Sequence, residues 1–223
     1  SVVSTDGIQP ESGAVYTLRP GEGRFGGAVA VEEGTTNWFS YPLNQEYYGG
    51  SLRAAGSYYA TSGYKITATN QPSDGPLPGC RIDVGANQKV TVSGYTNLSR
   101  VHIYCKGFDA SGGEVFAQTY NYVTPDSREF FSFTFDTGTN SALAYVHVGV
   151  GDTKTANYWL EYVQVEITPF ATSFVDGTRA EGALKYDPSI LNKTHGTIAV
   201  WFKLHNLNVL YNALITTSTA LSP

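Results

Sequence analysis

The chain has 223 residues, of which 41% are hydrophobic and 15% are charged, so it has enough apolar material for a packed core and too little charge for a disordered chain. Its net charge of −5 and the lack of any Lys/Arg cluster in the sequence argue against nucleic-acid binding. No apolar run approaches the roughly 20 residues that a membrane-spanning helix needs, which argues against membrane insertion. Met is missing, even at position 1, so we expect the chain to be processed or cut from a longer protein.

Apolar and polar residues alternate with a period of two through almost the whole sequence, and no stretch of 12 residues carries a helical repeat. The 16 Tyr and 11 Phe residues also favour strands. We predict strands, in chain order, at residues 25–33, 38–41, 64–69, 80–84, 88–95, 101–108, 114–120, 129–135, 143–150 and 158–167. Turns rich in Gly and Asp separate them every 8–15 residues, which predicts an all-β sandwich or barrel with negligible helix.

The sequence changes character at about residue 172. A polar connector is followed there by two strand-like runs, one around Leu184 and one at residues 198–202. Two or three strands cannot bury a core of their own. We therefore expect this tail either to pack on the central sandwich or to begin a second sandwich that is truncated.

Residues 157–179, NYWLEYVQVEITPFATSFVDGTR, resemble the end of a galactose-binding-like jelly-roll carbohydrate-binding module found in phage tail and bacterial surface proteins. The matching residues are Gln164, Glu166, Thr172, Ser173, Phe174, Asp176, Gly177 and Arg179. Upstream, VTVSGY and EFFSFTF lie where that family has its paired central strands. Residues 181–203 resemble the opening strands of a concanavalin A-like (laminin G-like) domain, and residues 23–37 resemble the linker strand that precedes the module.

The resemblance implies an all-β fold, namely a jelly-roll β-sandwich with an N-terminal strand arm and a partial concanavalin A-like β-sandwich at the C-terminus. We place the arm at residues 1–36, the carbohydrate-binding-like module at 37–171 and the partial second sandwich at 172–223. The implied function is non-catalytic glycan recognition or adhesion on a virion tail or at the cell surface, with a polysaccharide or cell-wall glycan as the partner. The alternative is a spacer or assembly domain of a tail or fibre protein without its own ligand, whose Tyr-rich face is the interface of a homo-oligomer.

Sequence motifs for catalysis or nucleotide binding are weak. Gly21, Gly23 and Gly26 match G-x-G-x-x-G, but the following GAVAVEE alternates like a strand, whereas a dinucleotide site needs a helix there. None of the four His residues is flanked by a nucleophile motif, and no predicted strand carries two carboxylates on one face, as glycoside hydrolysis requires. We therefore predict that the chain is not an enzyme.

Cys80 and Cys105 are the only cysteines in the sequence. Two cysteines cannot form a tetrahedral zinc site by themselves, and no His lies at ligand spacing from either of them. We expect two thiols buried on core-facing strand positions, with a disulfide between them as the alternative.

Alternation also predicts a polar and aromatic surface on the side of the strands that faces away from the core. The residues predicted to lie there are His102, Tyr104, Tyr145, His147, Tyr158, Tyr162 and Gln164. Sugars present weakly apolar C–H faces ringed by hydroxyl groups, so we predict that the Tyr rings stack on a glycan while the His and Gln side chains hydrogen-bond to it. The alternative is a surface of ordinary exposed Tyr residues, or one that a neighbouring domain covers. A second candidate group lies in segments that we interpret as Gly-rich loops, and it consists of Tyr47, Tyr48, Tyr58 and Tyr59.

Glu161 occupies the core-facing phase of the last predicted strand, where the resembling family has Asp. An unpaired buried carboxylate is costly, so we predict a cation, Ca²⁺, beside Glu161 at the sandwich edge. The resemblance puts residues 37–46 next to this strand, and they could supply further oxygen ligands. The alternative is that Glu161 is simply hydrogen-bonded or lies at a solvated strand end.

Overall fold

The computed structural model describes residues 34–123 and 129–179, and outside those ranges the strands at 8–10, 16–20, 27–31 and 184–186. In this part of the chain all regular secondary structure is β-strand, as predicted, and no helix is present that could span a membrane. The strands in chain order are β1 (Ile8–Pro10), β2 (Tyr16–Pro20), β3 (Gly27–Val31), β4 (Thr35–Thr36), β5 (Gln45–Tyr48), β6 (Ser51–Ala54), β7 (Tyr59–Ser62), β8 (Lys65–Ala68), β9 (Leu77–Asp83), β10 (Lys89–Thr96), β11 (Arg100–Asp109), β12 (Glu114–Val123), β13 (Glu129–Asp136), β14 (Leu143–Gly151), β15 (Tyr158–Glu166), β16 (Thr178–Arg179) and β17 (Leu184–Tyr186).

Two antiparallel sheets form the sandwich. The five-stranded sheet has the order β13-β10-β15-β8-β7, and the six-stranded sheet has the order β12-β11-β14-β9-β5-β6. Three short two-stranded pairs accompany them, β1 with β17, β2 with β3 and β4 with β16.

The eight strands β8 to β15 pair as in one long antiparallel hairpin that is folded into the two sheets. β8 pairs with β15, β9 with β14, β10 with β13 and β11 with β12, so the first and last of these eight strands are neighbours. Successive pairs alternate between the two sheets, and the contacts of β15 with β10 and of β14 with β11 complete each sheet. This connectivity is that of a jelly roll, which confirms the predicted all-β jelly-roll sandwich, whereas the partial concanavalin A-like sandwich at 172–223 stays a prediction.

The hydrophobic core fills the space between the two sheets, and its central side chains are completely excluded from solvent. These include Val90, Val92, Val101, Ile103, Phe131, Val146, Val148, Leu160, Val163 and Val165. The predicted inward phases of β10, β11 and β14 are therefore correct, because alternation along these strands is unbroken where the core side chains lie.

A bulge in β15 changes which of its side chains face the core. Two residues of β15, Tyr162 and Val163, lie opposite the single residue Gly94 of β10. Tyr162 adopts the left-handed backbone conformation, with a φ of 52°. Because of this extra residue, Leu160 and Val163 both point into the core although they are three positions apart. The predicted strict alternation along β15 is therefore wrong on the N-terminal side of the bulge.

Residues 168–179, here called the strap, lie on the outer face of the five-stranded sheet and bury a polar cluster against it. The Glu166 carboxylate is completely buried and accepts hydrogen bonds on both oxygens. Oε1 accepts from the Thr172 amide at 2.9 Å and from Gln164 Nε2 at 2.8 Å. Oε2 accepts from the hydroxyls of Thr172 at 2.8 Å and Thr35 at 2.9 Å. These donors satisfy a charge that would otherwise be costly to bury.

Two further side chains attach the strap to the sheet. Gln164 Oε1 accepts from the Val175 amide at 2.8 Å, and Asn37 Nδ2 donates to the carbonyls of Val163 at 3.2 Å and Val175 at 3.1 Å. β16, at the end of the strap, pairs with β4. Most of the matched sequence motif at the end of the module therefore lies in β15 and the strap, where it holds the fold together.

The predicted strand at 38–41 is absent from the structure. Asn37 Oδ1 accepts hydrogen bonds from the amides of Phe39 and Val165, both at 3.0 Å, so the chain turns at this point instead of continuing as a strand. The strand predicted at 198–202 lies outside the described residues.

Cys80 and Cys105 are both buried and free, as expected from the sequence. They lie on β9 and β11, on either side of Val148 in β14, so a whole strand separates them. Burial raises the pKa of both thiols well above the usual range, which keeps them protonated and unreactive.

We expect the Glu166→Gln substitution to lower the free energy of unfolding by about 2–4 kcal/mol, because an amide offers one acceptor where four donors converge. The matched control is Asp136→Asn, whose carboxylate meets Lys89 Nζ at 2.9 Å on the exposed surface and should contribute little. Chemical denaturation of both variants measures the difference. Equal effects would mean that the cluster does not stabilise the fold.

Candidate functional site

The six-stranded sheet turns aromatic and polar side chains to its outer side, and this surface is called the aromatic face below. Its inward neighbours, such as Ile103 and Val146, are buried in the core, so alternation leaves the intervening side chains outside. The aromatic face consists of His102, Tyr104, Lys106 and Phe108 from β11, Tyr145 and His147 from β14, Arg81 and Asp83 from β9, and Tyr47 from β5.

Two ring stacks lie on the aromatic face. Tyr47 stacks on Tyr104 with 6.1 Å between the ring centroids and 29° between the planes. Phe108 stacks on Tyr145 at 5.2 Å and 18°. His147 lies beside the second stack, 4.8 Å from the Phe108 ring and 5.3 Å from the Tyr145 ring. Rings in this arrangement support each other and present apolar surface that is only partly covered.

Two glycines make room for the ring of Tyr47. A Cβ at Gly149 would lie 2.7 Å from Cγ of Tyr47, and a Cβ at Gly79 would lie 2.9 Å from its Cβ. Any other residue at these positions of β14 and β9 would push the ring away. Tyr47 can therefore lie close to the sheet next to Tyr104, and burial raises the pKa of Tyr47 to about 12.

A pocket of about 500 Å³ opens next to the first ring stack. Its lining residues include Tyr47, Tyr48, Gly50, Asp74, Tyr104 and Lys106. Tyr48 is 49% exposed at its rim, with the Arg53 guanidinium 4.6 Å above the ring.

The positive charges on and beside the aromatic face are paired with carboxylates. Arg81 Nε meets Asp83 Oδ1 at 2.7 Å, and the Arg81 guanidinium also lies 3.9 Å from the centre of the Tyr145 ring. Lys106 Nζ meets Glu114 Oε2 at 2.6 Å. Charges of both signs therefore lie side by side on this surface, and these ion pairs can also form hydrogen bonds.

The two histidines of the face differ in their hydrogen bonds. Nδ1 of His147 lies 3.2 Å from the Gly50 carbonyl, which can only accept, so this nitrogen carries the proton and Nε2 can accept. Burial and the nearby Arg81 lower the pKa of His147 below its usual value, so the ring stays neutral at neutral pH. Nδ1 of His102 hydrogen-bonds with the Tyr104 hydroxyl at 3.1 Å.

The structure brings four of the seven predicted contact residues together, His102, Tyr104, Tyr145 and His147. The placement of the other three on this surface is wrong. Tyr158 is 2% exposed and points into the core, because the bulge in β15 reverses its predicted phase. Gln164 is 1% exposed and lies under the strap, and its side chain is bonded to Glu166, Thr172 and Val175.

Tyr162 is exposed, but it lies on the five-stranded sheet with a different group of rings. Its ring centroid is 5.8 Å from that of Tyr64 and 5.2 Å from that of Phe174, which belongs to the strap. Tyr64 also donates a hydrogen bond to Asp176 at 3.2 Å. This second group anchors the strap to the β7–β8 hairpin.

Sequence analysis missed one aromatic member of the face, Phe108, and put another, Tyr47, in a separate loop group. Phe108 follows the same alternation as Tyr104, so the signal was present in the strand pattern. Tyr47 was assigned to a loop because Gly49 and Gly50 follow it, whereas it lies in β5 just before a tight turn. Tyr48 and Tyr59 also lie in strands, so the loop assignment of that group is wrong except at Tyr58.

Glu161 does not occupy the predicted core-facing position. The bulge turns its side chain to the surface of the five-stranded sheet, where its carboxylate meets Lys65 Nζ at 3.3 Å. Within the described ranges no three His, Cys, Asp or Glu side chains are grouped so that they could hold a metal ion. Lys65 supplies a positive charge beside the Glu161 carboxylate. Calcium stays a prediction, which a fall of the melting temperature on adding EDTA would support.

No protein-family model and no curated protein matches the chain. Among solved structures, the CBM22-1 xylan-binding domain of Xyn10C from Paenibacillus barcinonensis shares 16% identity at a TM-score of 0.39, with 62% of this chain and 99% of the domain covered. A carbohydrate-binding module of the CBM4 type shares 16% identity at a TM-score of 0.38, with 60% and 85% covered.

A family 11 carbohydrate-binding module from Clostridium thermocellum, in complex with a β-1,3-1,4-mixed-linked tetrasaccharide, shares 12% identity at a TM-score of 0.34, with 60% and 95% covered. At these scores the likenesses are too loose to support an argument. The jelly-roll assignment therefore rests on the strand pairing and the candidate site on its own geometry.

We expect Gly149→Ala to displace the Tyr47 ring and to lower the free energy of unfolding by about 1–3 kcal/mol, because the new methyl group meets the base of the ring. Gly85→Ala is the matched control, since a Cβ there has only the Leu143 carbonyl oxygen nearby, at 4.0 Å. Denaturation curves and near-ultraviolet circular dichroism of both variants test this. Unchanged Tyr signals in the Gly149 variant would contradict the packing described here.

Proposed function

We propose that the chain is a non-catalytic carbohydrate-binding module whose aromatic face binds a polysaccharide. The observation that carries this proposal is the presence of two ring stacks, Tyr47 on Tyr104 and Phe108 on Tyr145, on one open face of the sandwich. All four rings are half-buried, so part of each is open to solvent, and clustered aromatic surface of this kind is typical of a contact site. Flat rings suit the C–H faces of sugar rings, whereas a pocket for a small apolar ligand would enclose its rings on all sides.

Polar groups around the stacks supply the hydrogen bonds that sugar hydroxyls need. His147 offers a neutral ring nitrogen beside the Phe108–Tyr145 stack. Tyr104 and Lys106, both on β11, line the pocket, and Lys106 is paired with Glu114 of β12. Donors and acceptors therefore alternate with apolar rings, as the hydroxyls and C–H groups of a saccharide do.

A neutral or weakly charged polysaccharide fits this face best, because its Arg and Lys side chains are paired with carboxylates. An anionic polymer would meet Asp83 and Glu114 together with their cations. Following the sequence resemblance, we place the module on a virion tail or at an extracellular surface, where it would bind an envelope or cell-wall glycan.

We expect Tyr104→Ala and Tyr145→Ala each to weaken glycan binding several-fold, since a stacked ring contributes on the order of 1 kcal/mol. An array of neutral and acidic oligosaccharides identifies the ligand, and titration calorimetry with that ligand measures the loss. Tyr162→Ala is the matched control, because it removes an exposed Tyr from the other sheet and should leave the affinity unchanged.

Two results would contradict the proposal. If the array shows no binding and the aromatic face becomes protected from solvent at high protein concentration, the face is a subunit interface of an assembly domain. If Tyr162→Ala weakens binding and Tyr104→Ala does not, the glycan binds on the five-stranded sheet.

We also expect the affinity for the identified glycan to change by less than about twofold when the salt concentration rises from about 0.05 M to about 0.5 M, since the charges of the face are already paired. Calorimetric titrations at both concentrations test this. A steep loss of affinity with salt would indicate an anionic ligand held by Arg81 or Lys106.

A further inference from the structure

β12 forms an open edge of the six-stranded sheet. It is ten residues long, Glu114–Val123, and pairs on one side with β11. Among the described residues, no strand or side chain pairs with its other side. Several of its side chains are exposed, including Ala117, Thr119 and Asn121. Within 34–123 and 129–179, the backbone N–H and C=O groups along this side therefore have no strand to bond to, and they could pair with one from another chain.

The sequence of β12 carries little of the charge, Pro or Gly that usually protects an edge, and the one irregularity in its pairing with β11 lies near its start, at Val115. From Val115 to Val123 it reads VFAQTYNYV, with no charged residue, no Pro and no Gly. The edges formed by β6 and β7 are only four residues long, and β6 contains Arg53. β13 begins and ends with a carboxylate residue. A long, uncharged and β-branched edge strand is a template for strand addition.

The pattern of β12 favours a second copy of the same chain as the partner. Antiparallel pairing about a two-fold axis at Thr119, the centre of the uncharged run, places Phe116 opposite Tyr122. Such aromatic pairs stabilise adjacent strands. The single charged residue, Glu114, is already paired with Lys106 at 2.6 Å. The two copies of Glu114 lie at opposite ends of the pair, so no like charges oppose each other.

We propose that β12 pairs with β12 of a second copy, joining the two six-stranded sheets into one continuous antiparallel sheet across a two-fold axis. About one backbone hydrogen bond per paired residue forms across the axis. The axis is perpendicular to the sheet, so both aromatic faces lie on the same side. This inference concerns the edge and not the face, and it does not depend on the proposed glycan binding.

The sharpest test is disulfide crosslinking of Thr119→Cys. Directly paired residues of antiparallel strands have Cα atoms about 4.5–5.5 Å apart, which suits a disulfide. The native thiols of Cys80 and Cys105 are buried and do not compete. We expect mild oxidation to convert the variant to a covalent dimer on a non-reducing gel. Ala60→Cys, exposed on the β7 edge, is the matched control and should stay monomeric.

A second test removes the pairing. In sedimentation, the mass of the unmodified chain should double as its concentration rises. The Thr119→Lys variant should stay at the single-chain mass, because the substitution brings two ammonium groups together at the axis. Ala60→Lys should behave like the unmodified chain, and equal melting temperatures of the dilute variants show that all are folded. If the unmodified chain stays monomeric at millimolar concentration, the proposal is overturned. So would a dimer that Thr119→Lys leaves intact or that Thr119→Cys does not crosslink.

Discussion

The aromatic face depends on the burial of the opposite sides of β11 and β14. Ile103, Cys105, Val146 and Val148 are each at most 1% exposed, so the core determines which residues of these strands point outward. A shift of one residue would bury Lys106 and expose these apolar side chains, at a cost that far exceeds any contact on the face itself. The backbone positions of the tyrosines are therefore determined by the core on the other side of the sheet.

The polar cluster around Glu166 has a different role. The residues that carry the sequence resemblance are concentrated there, and they close the outer side of the five-stranded sheet with the strap. A buried carboxylate with four donors favours one strap conformation over others, because any alternative leaves the charge without partners. The motif thus belongs to the end of the fold, and the candidate site lies on the opposite sheet.

Sequence reasoning succeeded where strands alternate without interruption and failed where a local feature breaks the alternation. β11 and β14 follow the period-two pattern, so His102, Tyr104, Tyr145 and His147 could be placed on one surface from the sequence. The bulge in β15 could not be predicted, because the residue in the left-handed conformation is Tyr162 and not the Gly or Asn that would have signalled it. The burial of Gln164 and Glu166 on that strand could not be predicted from the alternation either, because it results from the strap, which covers the outer side of the strand.

The ring stacks of the aromatic face are aligned across the strands, toward the β12 edge of the six-stranded sheet. Tyr47 on β5 and Tyr104 on β11 lie in one row across the strands, and Arg81, Tyr145 and Phe108 form a second row from β9 to β11. Both rows point toward β12. Pairing through the backbone of β12 would leave the rings uncovered and would continue the first row, which reaches β12 at Thr119, onto the same row of the second copy. A polymer lying along that row could then contact both copies, and the second contact would form at a high effective concentration. A subunit interface made by the tyrosines themselves would have the opposite effect, because it would bury the Arg81–Asp83 ion pair and remove the rings from any ligand.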